Sequence, residues 1–290
     1  MFQAKQFNLG VTGSFFIGAV VAAAIAIKVP LPAGIHPLVA ILVGGIVGGA
    51  ANFIPAILKA KWNASELVSS LMLNYVMTFL GLYIINFVLR DVYAGAMVSL
   101  KFLPTATLPK IIPKTRIHLG LFIAIFMVAF TYFFLYRTKW GYALRTTGLN
   151  SSFAKYSGVN INSVIIYSQV IGGIISGIGG ATELLGMYSR FEWQAAPAYG
   201  FDGVIVAILA RNNPLYIPLA SFFLAYLRIG ADIMSRATDV PSEVIAVIQG
   251  IIILLIGAER FLAKWRHKIV VKSATESLEA KGGKQNESAI

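Results

Sequence analysis

Five stretches of this sequence contain no Asp, Glu, Lys or Arg, and they constrain the fold more than any other feature. They cover residues 6–27, 29–58, 67–89, 117–136 and 156–182. A helix needs about 20 mostly apolar residues to cross a bilayer, and each stretch reaches that length. Charged residues make up only 12% of the chain, roughly half the share of a soluble domain. The sequence therefore predicts an all-α, polytopic transmembrane helical bundle.

The remaining apolar segments raise the prediction to about eight spans. Residues 203–210 are too few to cross alone, so with residues 200–202 they predict a short or broken helix. Further spans are expected at about 214–230 and 244–262. Eight crossings place both termini on one side, and the basic stretch Arg260–Lys272 favours the cytoplasm as that side. We expect residues 1–263 to form one membrane domain. Residues 264–290, first basic and then polar, should form a disordered cytoplasmic tail.

One predicted outer segment goes against this sidedness. Between Arg90 and His118 the chain carries five basic residues and one acidic residue, Asp91. Positive charge normally accumulates on the cytoplasmic side, but the rule is a statistical bias. The prediction of cytoplasmic termini therefore rests on the other basic stretches.

Catalytic and metal chemistry have little support in this sequence. It has no cysteine and only three histidines, which are far apart, and it lacks the Gly-rich phosphate-binding motif and the HExxH motif. The acidic residues in or near the spans are scattered. The net charge of +12 is explained by basic residues flanking the spans. We therefore expect a non-enzymatic protein in contact with membrane lipids, with no metal and no nucleic acid.

Two spans carry glycine-rich faces. Glycines at four-residue spacing let a neighbouring helix approach closely, which favours helix packing, although lining of a pore is the alternative. The residues are Gly44, Gly45, Gly48 and Gly49 in one span, and Gly172, Gly173, Gly177, Gly179 and Gly180 in the other.

The longest polar interruption between two apolar segments lies within residues 137–160. It carries Arg145 and Lys155 but no acidic residue. Asn150 follows Gly148 and precedes a short apolar pattern, which predicts a cap and a brief helix. A short, basic, capped helix between two spans suits docking on another protein at the cytoplasmic face. We therefore predict a coupling segment here.

Polar residues inside or beside the spans are the candidates for a translocation path. Such residues are costly in a membrane unless they are paired or face water. Glu183 could lie at the outer interface or face a central cavity. Aromatic rings could also line the path. The candidates are Asn8, Asn74, Glu183 and Asp202, with the rings of Tyr75 and Phe201. For each of them a structural role, as a helix cap, an interhelical hydrogen bond or a packing contact, is the alternative.

Four stretches in order resemble motifs of one family. They are Phe7-Asn8-Leu9-Gly10-Val11-Thr12-Gly13, Glu66–Tyr75, Gly148–Gly158 and Tyr199–Pro214, with Pro241-Ser242-Glu243 also fitting. The chain resembles the permease subunits of bacterial ABC importers, in the branch of sugar, branched-chain amino-acid and nucleoside permeases. It is most similar to the nucleoside ("simple sugar") permeases that work with a lipoprotein.

The resemblance implies a permease subunit in the bacterial plasma membrane. Its partners would be a cytoplasmic ABC ATPase, a second related permease and a substrate-binding lipoprotein. ATP and Mg²⁺ would be used by the ATPase, and this chain would bind no cofactor. The residues that match the family's coupling segment are Gly148, Asn150, Ala154, Tyr156 and Gly158.

The resemblance leaves alternatives and shows departures. A permease for a ribose-like sugar or for branched-chain amino acids is the alternative within the class, and an ATP-independent secondary transporter or channel is the alternative outside it. Thr12 and Ser14 stand where the family has Glu and Gln. The family has further membrane segments before the first motif, so this chain is expected to be short at its N-terminus.

Overall fold

The chain of 290 residues is described here by a computed structural model that covers residues 1–113, 115–237, 247, 250 and 251. Within these residues the secondary structure is helical, with two isolated β-bridges. The α-helices are α1 (Val11–Lys28), α2 (Ile35–Trp62), α3 (Glu66–Tyr83), α4 (Gly120–Arg137), α5 (Lys139–Leu149), α6 (Ser151–Tyr156), α7 (Ile161–Met187), α8 (Tyr199–Leu209) and α9 (Ile217–Ala237). A π-helical turn, Ile84–Val88, extends α3, and short 3₁₀ turns cover Phe2–Ala4, Pro104–Ala106 and Pro214–Tyr216.

Six helices among the described residues are long and apolar enough to cross a membrane. They are α1, α2, α3 with its π-helical turn, α4, α7, and the segment Pro214–Met234. The short helix predicted near residue 200 is α8, with 11 residues. The predicted eighth span at 244–262, the tail 264–290 and the Pro241-Ser242-Glu243 motif lie almost wholly outside the described residues. The all-helical bundle is thus confirmed, while the count of eight and the sidedness stay predictions.

Two features go beyond the sequence patterns above. Helix α2 begins at Ile35 and includes Pro37 in its first turn. Proline is tolerated in the first turn of a helix because its missing N–H has no helical partner there. The coupling segment was expected to hold one brief helix, but α5 precedes α6.

The chain divides into two compact units, Met1–Pro218 and Leu219–Ile290. In the first unit α7 packs against α2 and α1. Added side chains on the facing glycines would collide with the opposite helix. A Cβ on Gly48 would lie 2.9 Å from the Cα of Gly177, and one on Gly18 would lie 2.6 Å from the same atom. Of the predicted glycines, Gly44, Gly48, Gly173, Gly177 and Gly180 thus lie against the backbone of a facing helix, which confirms their role in helix packing, whereas Gly172 and Gly179 do not.

The segment between α3 and α4, residues 89–119, is fastened to the helix ends beside it. The amide of Leu103 donates to the carbonyl of Ala26 at the end of α1, and the amide of Leu108 donates to that of Leu185 near the end of α7. We call this end of the first unit the loop end. Helices α5 and α6 follow α4 at its opposite terminus, which we call the coupling end.

In the second unit the structure describes mainly the helix that begins in the first unit at Ile217 and continues to Ala237. Asp232 and Arg236 form an exposed ion pair one turn apart, 2.8 Å between Oδ2 and Nη2. Exposed pairs of this kind contribute little to stability.

Candidate functional site

A buried polar cluster joins the start of α1 to three other helices. The Nδ2 of Asn8 donates to Asn52 Oδ1 at 3.1 Å and to Gln169 Oε1 at 3.0 Å, and its Oδ1 accepts from the amide of Gly10. Asn52 Nδ2 donates to Ser14 Oγ at 2.6 Å. Ser70 Oγ accepts from the amide of Leu9. Asn8 is fully buried and its side chain is hydrogen-bonded. It therefore has a structural role, in which it joins α2 and α7 to the start of α1.

This cluster contains residues that sequence reasoning missed. Asn52 and Gln169 are isolated polar residues within the uncharged stretches 29–58 and 156–182. Both are fully buried. The cost of an unpaired polar group in a span was the signal that could have identified them. Ser14, which departs from the family pattern, is the acceptor for Asn52.

Asn74 and the first turn of α8 also reach the start of α1. A Cβ on Gly13 would lie 2.8 Å from the Cα of Asn74, and one on Gly200 would lie 2.7 Å from the Cα of Thr12. Asn74 Oδ1 and Thr12 Oγ1 are buried without a hydrogen-bond partner among the described residues. The motifs that are distant in sequence therefore converge on residues 8–13.

The other predicted path residues do not join this cluster. Tyr75 is exposed on α3, Phe201 is partly exposed, and Asp202 lies half-buried in the first turn of α8. Glu183 lies near the loop end of α7, where its carboxylate accepts a hydrogen bond from Tyr199 and feels the charge of Arg116.

Aromatic rings surround the start of α8. Phe15 stacks on Trp193 with ring centres 5.9 Å apart and meets Tyr199 edge-on at 5.7 Å. Phe191 is fully buried and packs edge-on against Phe16. Aromatic pairs of this kind stabilise a fold by more than the burial of their apolar area alone. The segment after α7 therefore folds back onto α1.

A pocket of about 600 Å³ opens between α4 and α7 at the loop end. His118 lines it, and its Nδ1 accepts from the amide of Gly120 at 3.1 Å. Burial lowers the pKa of the His118 imidazole below its ordinary value, which favours the neutral ring. Because Nδ1 accepts a hydrogen bond, the proton of the neutral ring lies on Nε2. Glu183 and Arg116 also line the pocket.

The predicted coupling residues form a built element at the coupling end. Asn150 Oδ1 accepts from the amide of Phe153 at 3.0 Å and caps α6, as the sequence predicts. Ala154 is fully buried under the helix. Gly158 ends the turn with φ of +80°, a backbone conformation that residues other than glycine rarely adopt. Tyr156, by contrast, is 91% exposed.

Gly148 has a contact that the sequence did not indicate. A Cβ on Gly148 would overlap the carbonyl of Gln3 and lie 3.1 Å from the Cα of Ala4. Gln3 in turn donates from Nε2 to the carbonyl of Asn212, just after α8, at 2.6 Å. The N-terminal 3₁₀ turn therefore connects α5 to the segment that follows α8.

No group of three or more His, Cys, Asp and Glu side chains lies close enough to hold a metal ion within the part of the chain that the structure describes.

Replacing Asn8 with alanine is expected to destabilise the first unit strongly. The change leaves Asn52 Oδ1 and Gln169 Oε1 without the donor they share, and each buried group left unpaired costs roughly 1–3 kcal/mol. Asn160→Ala is the matched control, because Asn160 is an exposed helix cap on α7, worth about 1 kcal/mol. Thermal unfolding in detergent measures both. Equal losses would show that Asn8 is no more than a local cap.

Comparison with known proteins gives one family and several relatives. The profile of a family described as "Branched-chain amino acid transport system / permease component" matches residues 1–257. A guanosine ABC transporter permease of Bacillus subtilis is 33% identical over 260 residues, which cover 89% of this chain and 75% of that protein.

Two other relatives align along most of the chain. A glucose ABC transporter permease of Haloferax volcanii is 30% identical over 275 residues, covering 91% of this chain and 72% of the relative. A nucleoside ABC transporter permease of Lactococcus lactis is 27% identical over 293 residues, covering 96% and 79%. No solved structure gives a significant match. The six apolar helices and the family match together show that the chain is a multi-pass membrane protein that belongs to the permease-component family of the branched-chain amino acid transport systems.

Proposed function

We propose that this chain is the transmembrane permease subunit of an ABC importer and that it translocates nucleosides across the bacterial plasma membrane. The observation that carries the proposal is the 33% identity to a guanosine permease along 89% of the chain. A relative named as a nucleoside permease, aligned over 96% of the chain, supports the same substrate class.

The docking site for the ATPase is α6. Tyr156, Phe153 and Leu149 expose large apolar surfaces at the coupling end, and exposed patches of this kind outside a membrane indicate a protein partner. The Asn150 cap and the Gly158 turn fix the direction of α6. The ATPase binds ATP and Mg²⁺, and this chain contributes no catalytic group.

Docking motion can pass from α5 toward the path. Gly148 contacts the N-terminal turn, and the Gln3 side chain joins that turn to Asn212. Gly200, at the other end of α8, contacts Thr12. Asn74 Oδ1 and Thr12 Oγ1 are buried and unpaired beside this contact among the described residues. Buried polar atoms without partners call for an explanation, and a water-filled path that opens during transport supplies one.

The assembly contains two further partners. Helices α3 and α4 bury only a small part of their surface, which leaves apolar faces for lipid and for a second permease. Residues 89–119 present Val92 and Tyr93 at the loop end, both largely exposed. A substrate-binding lipoprotein delivers the nucleoside to that end.

Uptake of tritiated guanosine tests the substrate. Cells that express this gene together with its partner subunits should import guanosine, and deletion of the gene should remove that import. Unlabelled adenosine or uridine should compete, whereas glucose and leucine should not. Competition by glucose alone would show that the substrate is a sugar and not a nucleoside. Glucose is the sugar to test because one relative is named as a glucose permease. Uptake that persists after ATP depletion would instead indicate a channel or secondary transporter.

A further inference from the structure

The pocket between α4 and α7 has the size and the lining of a small-molecule site. Its volume of about 600 Å³ lies within the range of roughly 300–1,000 Å³ seen for ligand pockets. Most of its lining is aliphatic, with a few polar groups at one end. The apolar lining includes Leu121, Ile123, Ala124, Met127, Ile175 and Ile178.

The polar end is built around His118. The imidazole fits between two glycines, because a Cβ on Gly186 would overlap the ring and a Cβ on Gly120 would lie 2.5 Å from its Cε1. The amide of Gly120 occupies Nδ1. The backbone of His118 is also bridged to Lys110. The ring is therefore held in one orientation and one tautomer, with Nε2–H as its remaining donor.

Glu183 supplies an acceptor at the same end. It lies one helical turn from Gly179 and one residue from Thr182, and all three line the pocket. Tyr199 donates to its carboxylate, and Arg116 contributes positive charge at the exposed rim. A carboxylate has about four acceptor positions, so one donor from Tyr199 leaves capacity for hydroxyl groups of a ligand.

We propose that this pocket is the ribose-reading subsite of the permease: Glu183 accepts hydrogen bonds from the 2′ and 3′ hydroxyls of a nucleoside, His118 donates from Nε2, and the base packs on the aliphatic wall. The inference rests on the proposed nucleoside transport and goes beyond it by naming the contacts. A ribose diol offers two adjacent donors to one carboxylate, and the flat base offers apolar faces to Ile175, Ile178 and Met127. Two classes of group in one pocket match the two halves of a nucleoside.

Photolabelling locates the subsite without relying on transport. The full chain is purified from membranes with the subunits it assembles with, but without the substrate-binding protein, and is irradiated with tritiated 8-azidoguanosine. We call label protected when an excess of unlabelled guanosine prevents its incorporation. Protected label is expected on peptides from 116–127 and 175–187. Protected label confined to other peptides, or no protected label, would overturn the subsite.

The ribose contact is tested by competition on the same preparation. 2′,3′-Dideoxyguanosine should protect about tenfold less well than guanosine, because it lacks the two hydroxyls that donate to the carboxylate in the proposed contact. In Glu183→Gln this difference should shrink to about twofold, since the charged acceptor is gone. Glu192→Gln makes the same change at an exposed residue that does not line the pocket, and it should keep the tenfold difference. Equal protection by both nucleosides in the unsubstituted protein would contradict the role of Glu183.

Two substitutions by tryptophan on α4 distinguish the pocket from the rest of the helix. Ala124 lines the pocket and Ala129 does not, and both are exposed on the same helix. Ala124→Trp should remove most of the protected label by filling the aliphatic part, whereas Ala129→Trp should leave it. Loss with both would indicate that α4 acts through a lipid or protein contact instead, which would overturn the subsite.

The outcomes separate this inference from the proposed function. Guanosine uptake in cells with no protected label in the pocket would remove the subsite and leave nucleoside transport standing. Absence of nucleoside uptake, with glucose competing for label in the pocket, would remove both the nucleoside and the ribose contact.

Discussion

Replacing Tyr156 with alanine is expected to reduce ATP-driven nucleoside uptake strongly while leaving the chain folded in the membrane. Tyr156 ends α6 and is 91% exposed, so its removal costs the fold little. Buried tyrosines are frequent hot spots of protein interfaces, where truncation costs about 2 kcal/mol or more. A loss of that size weakens ATPase binding about thirtyfold. Co-purification of the ATPase with the tagged permease and guanosine uptake measure the two effects.

The control for this prediction is Tyr93→Ala. Tyr93 is 99% exposed, but it lies in the segment at the loop end. It should leave co-purification of the ATPase unchanged. If Tyr156→Ala retained both the ATPase and full uptake, α6 would not be the docking element, and the coupling assignment of Gly148, Asn150, Ala154, Tyr156 and Gly158 would fall with it.

The second large effect is expected at the crossing of α2 and α7. Gly177→Ala should destabilise the protein, because the added Cβ would overlap the carbonyl of Gly44 and lie 3.1 Å from the Cα of Gly45. These are backbone atoms, so the helices must separate. Overpacking of a well-packed site typically costs about 1–3 kcal/mol. Thermal unfolding of the detergent-solubilised protein measures the loss.

Gly179→Ala is a matched control two residues away on the same helix. Its Cβ would meet only the Phe15 ring, at 3.7 Å and 3.8 Å, which is ordinary contact. Alanine favours a helix over glycine by about 1 kcal/mol, so this variant should be unchanged or slightly more stable. A comparable loss from both substitutions would show that the α2–α7 crossing does not depend on close backbone approach.

Several elements were predictable because their signals are local. The uncharged stretches predicted α1, α2, α3, α4 and α7 as spans, since length and hydropathy alone decide whether a helix can cross a bilayer. Asn150 was identified as a cap because its hydrogen bond reaches only three residues along the chain. Glycine spacing predicted close packing in α2 and α7, although it could not say that these two helices face one another.

The residues that the sequence left open depend on distant partners. Asn8 was a candidate for the path, but its bonds to Asn52 and Gln169 span 44 and 161 residues. Gly148 was assigned to the coupling segment, but its contact is with Gln3. Neither contact can be read from spacing, because both arise only after the helices have packed.

By itself the sequence determined that this protein is a helical membrane protein with a capped, basic segment between two spans, because hydropathy, helix length and capping are properties of neighbouring residues. Only the tertiary structure decided which polar residues form hydrogen bonds between helices and which line a pocket. In the sequence, Asn8 and Glu183 cannot be distinguished, because both are isolated polar residues beside apolar runs. Packing buries Asn8 among amide partners and places Glu183 beside His118 and Arg116 in a pocket. The physical reason is that the cost of a polar group in a membrane is set by its partners, which folding supplies.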